Sequence, residues 1–114
     1  MSLVQVDRGL WCLESHFVVW GCKGSLRMSV VETKKGCLIY SPVSLTPDHI
    51  VQIKQIGHVA AIVAPNLFHH FFLRPCIAAF PDARVFVPRG LAEKIGAIPN
   101  AEVMTPGSDI GEPV

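Results

Sequence analysis

From Leu10 the chain alternates apolar and polar positions through Cys12 and on to residues 17–20, and the alternation resumes at Leu26, Met28 and Val30. A period of two sends successive side chains to opposite faces of an extended chain, so this stretch predicts antiparallel strands. Between Ser29-Val30-Val31 and Cys37-Leu38-Ile39-Tyr40 stand Thr33, Lys34, Lys35 and Gly36. A polar turn with a glycine between two apolar runs predicts a hairpin. The period changes after Ser41-Pro42-Val43. Thr46 suits an N-cap, Pro47 the first helical position, Asp48 the positive first turn, and Gly57 the position past the end. Ile50, Ile53 and Ile56 recur every third residue, which predicts a helix over 47–56 with one apolar stripe against a sheet.

Val59-Ala60-Ala61-Ile62-Val63 follows with no polar position, as in a central parallel strand buried on both faces. Pro65-Asn66 ends it. Asn66 suits the cap of a further helix through Leu67, Phe68, His69, His70, Phe71 and Phe72, extending over 67–79, with Pro75 kinking or restarting it. Pro81-Asp82 reads as a turn, 83–87 as a strand, 91–95 as a short helix ended by Gly96, and 101–104 as a strand. Such crossovers are right-handed and their strands parallel. Residues 105–114, rich in Pro, Gly and Ser, read as a loop or a truncated continuation. The pattern therefore predicts one α/β domain over 1–114, bordering on α+β. Its mixed sheet has antiparallel N-terminal strands and helices on one face.

Composition narrows the partners. Only 17% of the 114 residues are charged and 50% are hydrophobic, against about 25% charged in an ordinary soluble domain. The formal charge is +1 with no basic stripe, so no nucleic-acid partner is expected. Pro65, Asn66 and the His69-His70 pair interrupt the greasiest region before it reaches the about 18 to 20 apolar residues of a span, so no membrane partner is expected either. Asp7 and Arg8 precede any apolar run, unlike a secretory leader, and a cytoplasmic location is the expectation. Cys12, Cys22, Cys37 and Cys76 form no C-x-x-C pair and read as reduced, buried thiols. Trp11, Trp20, Phe68, Phe71, Phe72, Phe80 and Phe86 are core candidates. Leu67-Phe68 and Phe71-Phe72 exceed what one helix face hides, so some apolar surface should meet another layer or chain.

Candidate chemistry gathers after the buried strand. His16, His49 and His58 are scattered and read as structural, and Ser15, Ser41 and Ser44 lack a Gly-x-Ser-x-Gly elbow. His69 and His70 are adjacent, so on a helix they diverge by about 100° and do not easily chelate one ion. Asn66 has the right spacing to either, but amides are weak ligands for the metals imidazole prefers. Three readings stay open for Asn66, His69 and His70: a metal site, a structural cap with one internally bonded histidine, or a small-molecule pocket at the carboxyl end of the strand.

The order of elements, an antiparallel meander, a hairpin strand, a helix, a buried strand and then a histidine-bearing loop, resembles the N-terminal half of the metallo-β-lactamase superfamily. Ala64-Pro65-Asn66-Leu67-Phe68-His69-His70 stands where that superfamily writes His-x-His-x-Asp-His, and Leu38-Ile39-Tyr40-Ser41-Pro42 where it writes a strand ending in Asp-Thr-Gly. Phe80-Pro81-Asp82-Ala83-Arg84-Val85-Phe86-Val87-Pro88 looks like its next strand. The chain looks most like a divergent bacterial branch of unassigned function. The resemblance implies half of an αββα sandwich and, in the ordinary case, a zinc or iron hydrolase. With His70 taken as the last motif histidine, Pro65 and Leu67 replace the two earlier histidines, His69 replaces the aspartate, and only His70 carries over as a metal ligand. Tyr40 stands where the acidic residue would be. The expectation is therefore a binding or interaction module with no cofactor and no hydrolase activity. The alternative is an atypical zinc or iron hydrolase completed by a missing half or a partner subunit. A half-sandwich would leave the inner sheet face, at residues 38–40 and 59–63, bare, which predicts a homodimer through an apolar sheet or helix face.

Overall fold

Seven strands form one sheet in chain order: β1 (Val4–Asp7), β2 (Leu10–Val19), β3 (Cys22–Thr33), β4 (Gly36–Tyr40), β5 (Val59–Val63), β6 (Arg84–Val87) and β7 (Ala101–Val103). Three helices join them, α1 (Pro47–Ile56), α2 (Leu73–Ala79) and α3 (Leu91–Ile95). The computed structural model describes residues 3–65, 72–96, 98 and 101–104, with the backbone alone described at 17–19. β1 to β4 pair antiparallel and β4 to β7 parallel, which is the mixed sheet the change of period predicts.

β2 and β3 pair without interruption from Leu10↔Val31 to Val19↔Cys22. The turn that joins them, Trp20-Gly21, has positive φ at both residues, 56° and 76°, the requirement of the tight hairpin turn that matches strand twist. Trp20 is therefore 98% exposed, which corrects its place among the core candidates. Its apolar neighbours in sequence hide a turn marked by Gly21 alone. β1, which the alternation did not predict, adds Val4↔Cys12 and Gln5↔Trp11 at the edge.

β3 and β4 meet as the predicted hairpin, closing at Thr33↔Gly36. Gly36 has φ of 130°, and a Cβ there would lie 2.6 Å from the carbonyl oxygen of His58. Only glycine fits that approach. The β4–β5 register then slips, from Cys37↔Val59 to Leu38↔Ala61, so Ala60 is the extra residue of a bulge.

α1 keeps the bounds its caps predict. Thr46 Oγ1 accepts from the His49 N–H at 3.2 Å, and His49 Nδ1 accepts from the Thr46 N–H at 3.1 Å, a reciprocal box with histidine in the usual place of Glu or Gln. α2 starts at Leu73, with Pro75 in its first turn, where no helical N–H is needed. The earlier part of the helix predicted over 67–79 falls at residues 67–71, outside the described residues. α3 ends at Gly96 as predicted, with φ of 91°.

Leu13, Met28, Val30, Cys37, Ile39, Val59, Ile62, Val85 and Val87 on one face of the sheet pack with Ile53 of α1, Leu73, Cys76 and Ile77 of α2, and Leu91 of α3 in one core cluster. All three helices thus cover the same face, and burying each Leu or Ile side chain there is worth about 1.5 to 3 kcal/mol. A second cluster on the opposite face joins Leu38, Ala61, Val63 and Phe86, with Val31 and Met104 half-buried beside it. The expectation that an isolated chain leaves this face bare is corrected: these four are 7%, 5%, 1% and 1% exposed, while Tyr40 alone of its strand is exposed. The reason for requiring a second copy there falls away. The four cysteines are free thiols; Cys37 and Cys76 are buried and Cys12 half-buried, but Cys22 is exposed beside the hairpin turn, a correction to the expectation that all are buried.

Candidate functional site

Parallel strands share a carboxyl edge, and in open α/β sheets that edge is where ligands are held. Here three ladders run one residue past the strand ends. Ser41 N–H donates to Val63 O at 2.9 Å, Ala64 N–H to Phe86 O at 3.0 Å, and Met104 N–H to Val87 O at 2.8 Å. Proline then stops two of them: the next β4–β5 rung would need an N–H from Pro65 and the next β5–β6 rung one from Pro88, and Pro42 follows Ser41 as well. Proline has no N–H to offer a further rung, so the edge is squared off by chemistry.

Ser41 is the strained residue of this edge. Its φ is 60°, the left-handed region that costs a non-glycine residue about 1 to 2 kcal/mol, and Pro42 behind it narrows its backbone further. Burial and the bond to Val63 O hold it there. It is not a nucleophile elbow, because the donor that would stabilise an oxyanion is the N–H of the next residue and Pro42 has none. No Gly-x-Ser-x-Gly motif surrounds Ser41, and the Ser-Pro step after an apolar strand is the one local signal of its conformation. The N-terminus of α1, with its Thr46–His49 box, follows from the same edge, and His49 is buried. The sequence puts His49 in the first helical turn as structural, and its ring completes the capping box with Thr46.

Asn66, His69 and His70 lie outside the described residues, and the edge brings their place only as near as Pro65. Of the positions compared with the superfamily's ligands, Tyr40 and Pro65 are described, and they supply a phenol and a ring without a lone pair for a metal. They do not fit the superfamily's metal centre, which needs imidazole or carboxylate donors. Among the described residues no group of three or more His, Cys, Asp or Glu side chains gathers closely enough to hold a metal ion. Thiol chemistry is equally quiet. Burial pushes the Cys76 thiol up to about 12, and burial first, then the Glu32 charge, holds Cys37 above its ordinary value, so neither presents a thiolate at neutral pH.

A cavity of about 530 Å³ lies at the other end of β5, lined by Lys54, Gly57, His58, Phe80 and Asp82 among others. It opens at the amino ends of the parallel strands, where the last turns of α1 and α2 arrive. It is therefore separate from the carboxyl edge.

Sheet order, one-sided helices and the squared carboxyl edge define a metallo-β-lactamase-like α/β fold. The fold is similar to that of a metallo-β-lactamase from Pontibacter korlensis, with a TM-score of 0.68 at 15% identity over 91% of this chain and 53% of that one. The metallo-β-lactamase IND-7 is as similar, with a TM-score of 0.68 at 15% identity over 93% of this chain and 53% of its own. The chain thus spans about half the length of these solved structures, and the likeness is one of fold. It belongs to the DUF4336 family, a domain of unknown function, whose profile matches residues 7–91. No curated protein sequence matches it.

Proposed function

We propose that this chain is a metallo-β-lactamase-like binding module that takes a small-molecule ligand at the carboxyl edge, through Asn66, His69 and His70, and performs no hydrolysis. The observation that carries the reading is the placement of Pro65. It follows the last rung of the central strand, where the superfamily motif begins with a metal-ligating histidine, and it has no electron pair to give. Tyr40, half in solvent, stands in the acidic position of the neighbouring strand. Strained Ser41, three prolines and the Thr46–His49 capping box shape the described part of this edge.

Elemental analysis tests this. The purified chain, dialysed against metal-free buffer, is expected to hold far less than one zinc or iron per molecule, with the same result for His70→Ala. A content near one per chain that disappears in His70→Ala overturns the proposal and favours an atypical metal-dependent hydrolase completed by residues outside this chain.

A further inference from the structure

β2 and β3 outrun the sheet that anchors them. Their last rung to β4 is Ser29↔Tyr40, and the part of β3 from Cys22 to Met28 pairs only with β2 among the described residues. At about 3.3 to 3.4 Å per residue this two-stranded ribbon stands roughly 20 Å beyond the carboxyl ends of the parallel strands. Trp20 sits at its tip, 98% exposed. Its φ of 56° is rare for a bulky residue, a strain of about 1 to 3 kcal/mol that the two-residue hairpin turn imposes and that fixes the indole at the tip.

Charge is graded along the ribbon. Phe17-Val18-Val19-Trp20-Gly21-Cys22 contains no charged residue, and Lys23 follows immediately. The Lys23 side chain makes no hydrogen bond or ion pair among the described residues. Behind it Arg27 is 68% exposed in its side chain, a loose 3.8 Å from the Glu14 carboxylate. A pocket on another protein would be served by Trp20 alone. An uncharged aromatic tip with cations set behind it matches instead a surface that is apolar inside and anionic at its rim. Indole rings settle at the headgroup level of a bilayer, and lysine or arginine near an acidic leaflet adds about 1 kcal/mol each.

We propose that the β2–β3 tip is a peripheral membrane contact that sets Trp20 into the headgroup region of an anionic bilayer. No helix among the described residues is long and apolar enough to cross a membrane, and a contact of this kind uses none.

Co-sedimentation of the full chain with phosphatidylcholine vesicles, and with vesicles also containing phosphatidylserine, tests it. The chain is expected to pellet with the acidic vesicles and to bind the neutral ones about tenfold more weakly or less. Trp20→Asn, whose side chain tolerates the left-handed turn, keeps the circular dichroism and melting temperature of the parent and loses about tenfold in binding. In a Trp11→Phe background the remaining indole is Trp20, and its emission shifts to the blue on binding acidic vesicles. Failure of the parent chain to bind acidic vesicles overturns the proposal. So does equal binding to both vesicle types, or unchanged binding by Trp20→Asn.

Discussion

The two sides of the sheet obey different rules. In β2 and β3, Leu13, Met28 and Val30 are buried while Glu14, Ser25 and Arg27 face solvent, so each strand works through one face. In β4, β5 and β6, consecutive residues are buried on both: Ile39 and Leu38, Ile62 and Val63, Val85 and Phe86. An antiparallel pair satisfies its hydrogen bonds with a hairpin neighbour and leaves a face to water, whereas parallel strands depend on layers above and below. The contrast explains why the antiparallel side can extend into a free ribbon while the parallel side ends at a squared edge.

The largest effect should fall on the parallel side. Ile62→Ala, at a position 0% exposed, is expected to cost about 2 to 5 kcal/mol in urea unfolding. Arg27→Ala on the ribbon should cost no more than about 1 kcal/mol. Comparable losses from the two would erase the contrast. A second handle is alkaline pH. Burial raises the Cys76 thiol of α2 from 9.0 to about 12, so the folded state favours the protonated thiol. The stability this thiol contributes is complete below pH 9 and is lost as pH rises toward 12. Cys37 is shifted the same way. Chemical denaturation from pH 8 to 11 should show this decline, and a shallower one in Cys76→Ala; an unchanged slope would mean that Cys76 is not sealed under α2. The smallest effect is local. Thr46→Ala removes the hydroxyl that accepts the His49 N–H and should cost about 1 kcal/mol, read as a lower melting temperature that Thr46→Ser largely restores.

Much of this was legible where structure is decided within a few residues. Thr46, Pro47 and Gly57 give α1 its two ends, Gly96 ends α3, and the polar turn at 33–36 closes the β3–β4 hairpin. β1 was not legible, because Val4-Gln5-Val6 is too short a period to stand out and is held by its pairing with β2. Trp20 was misread for the opposite reason, since its neighbours in sequence continue an apolar run that the backbone breaks. The second buried cluster depends on layering that no local pattern states. At the candidate site, the stop at Pro65 was plain in the residues, while the left-handed Ser41 and the part His49 plays in the capping box follow from backbone angles and ring orientation.

The prolines at the carboxyl edge carry one more consequence. The β4–β5 and β5–β6 ladders are complete before Pro65 and Pro88 begin, so these two positions, without a backbone N–H, add no further rung. The strand pairing thus ends at the proline and the variable chemistry of such a fold begins after it, so a side chain can change at the loop just past a stop without the loss of a ladder hydrogen bond.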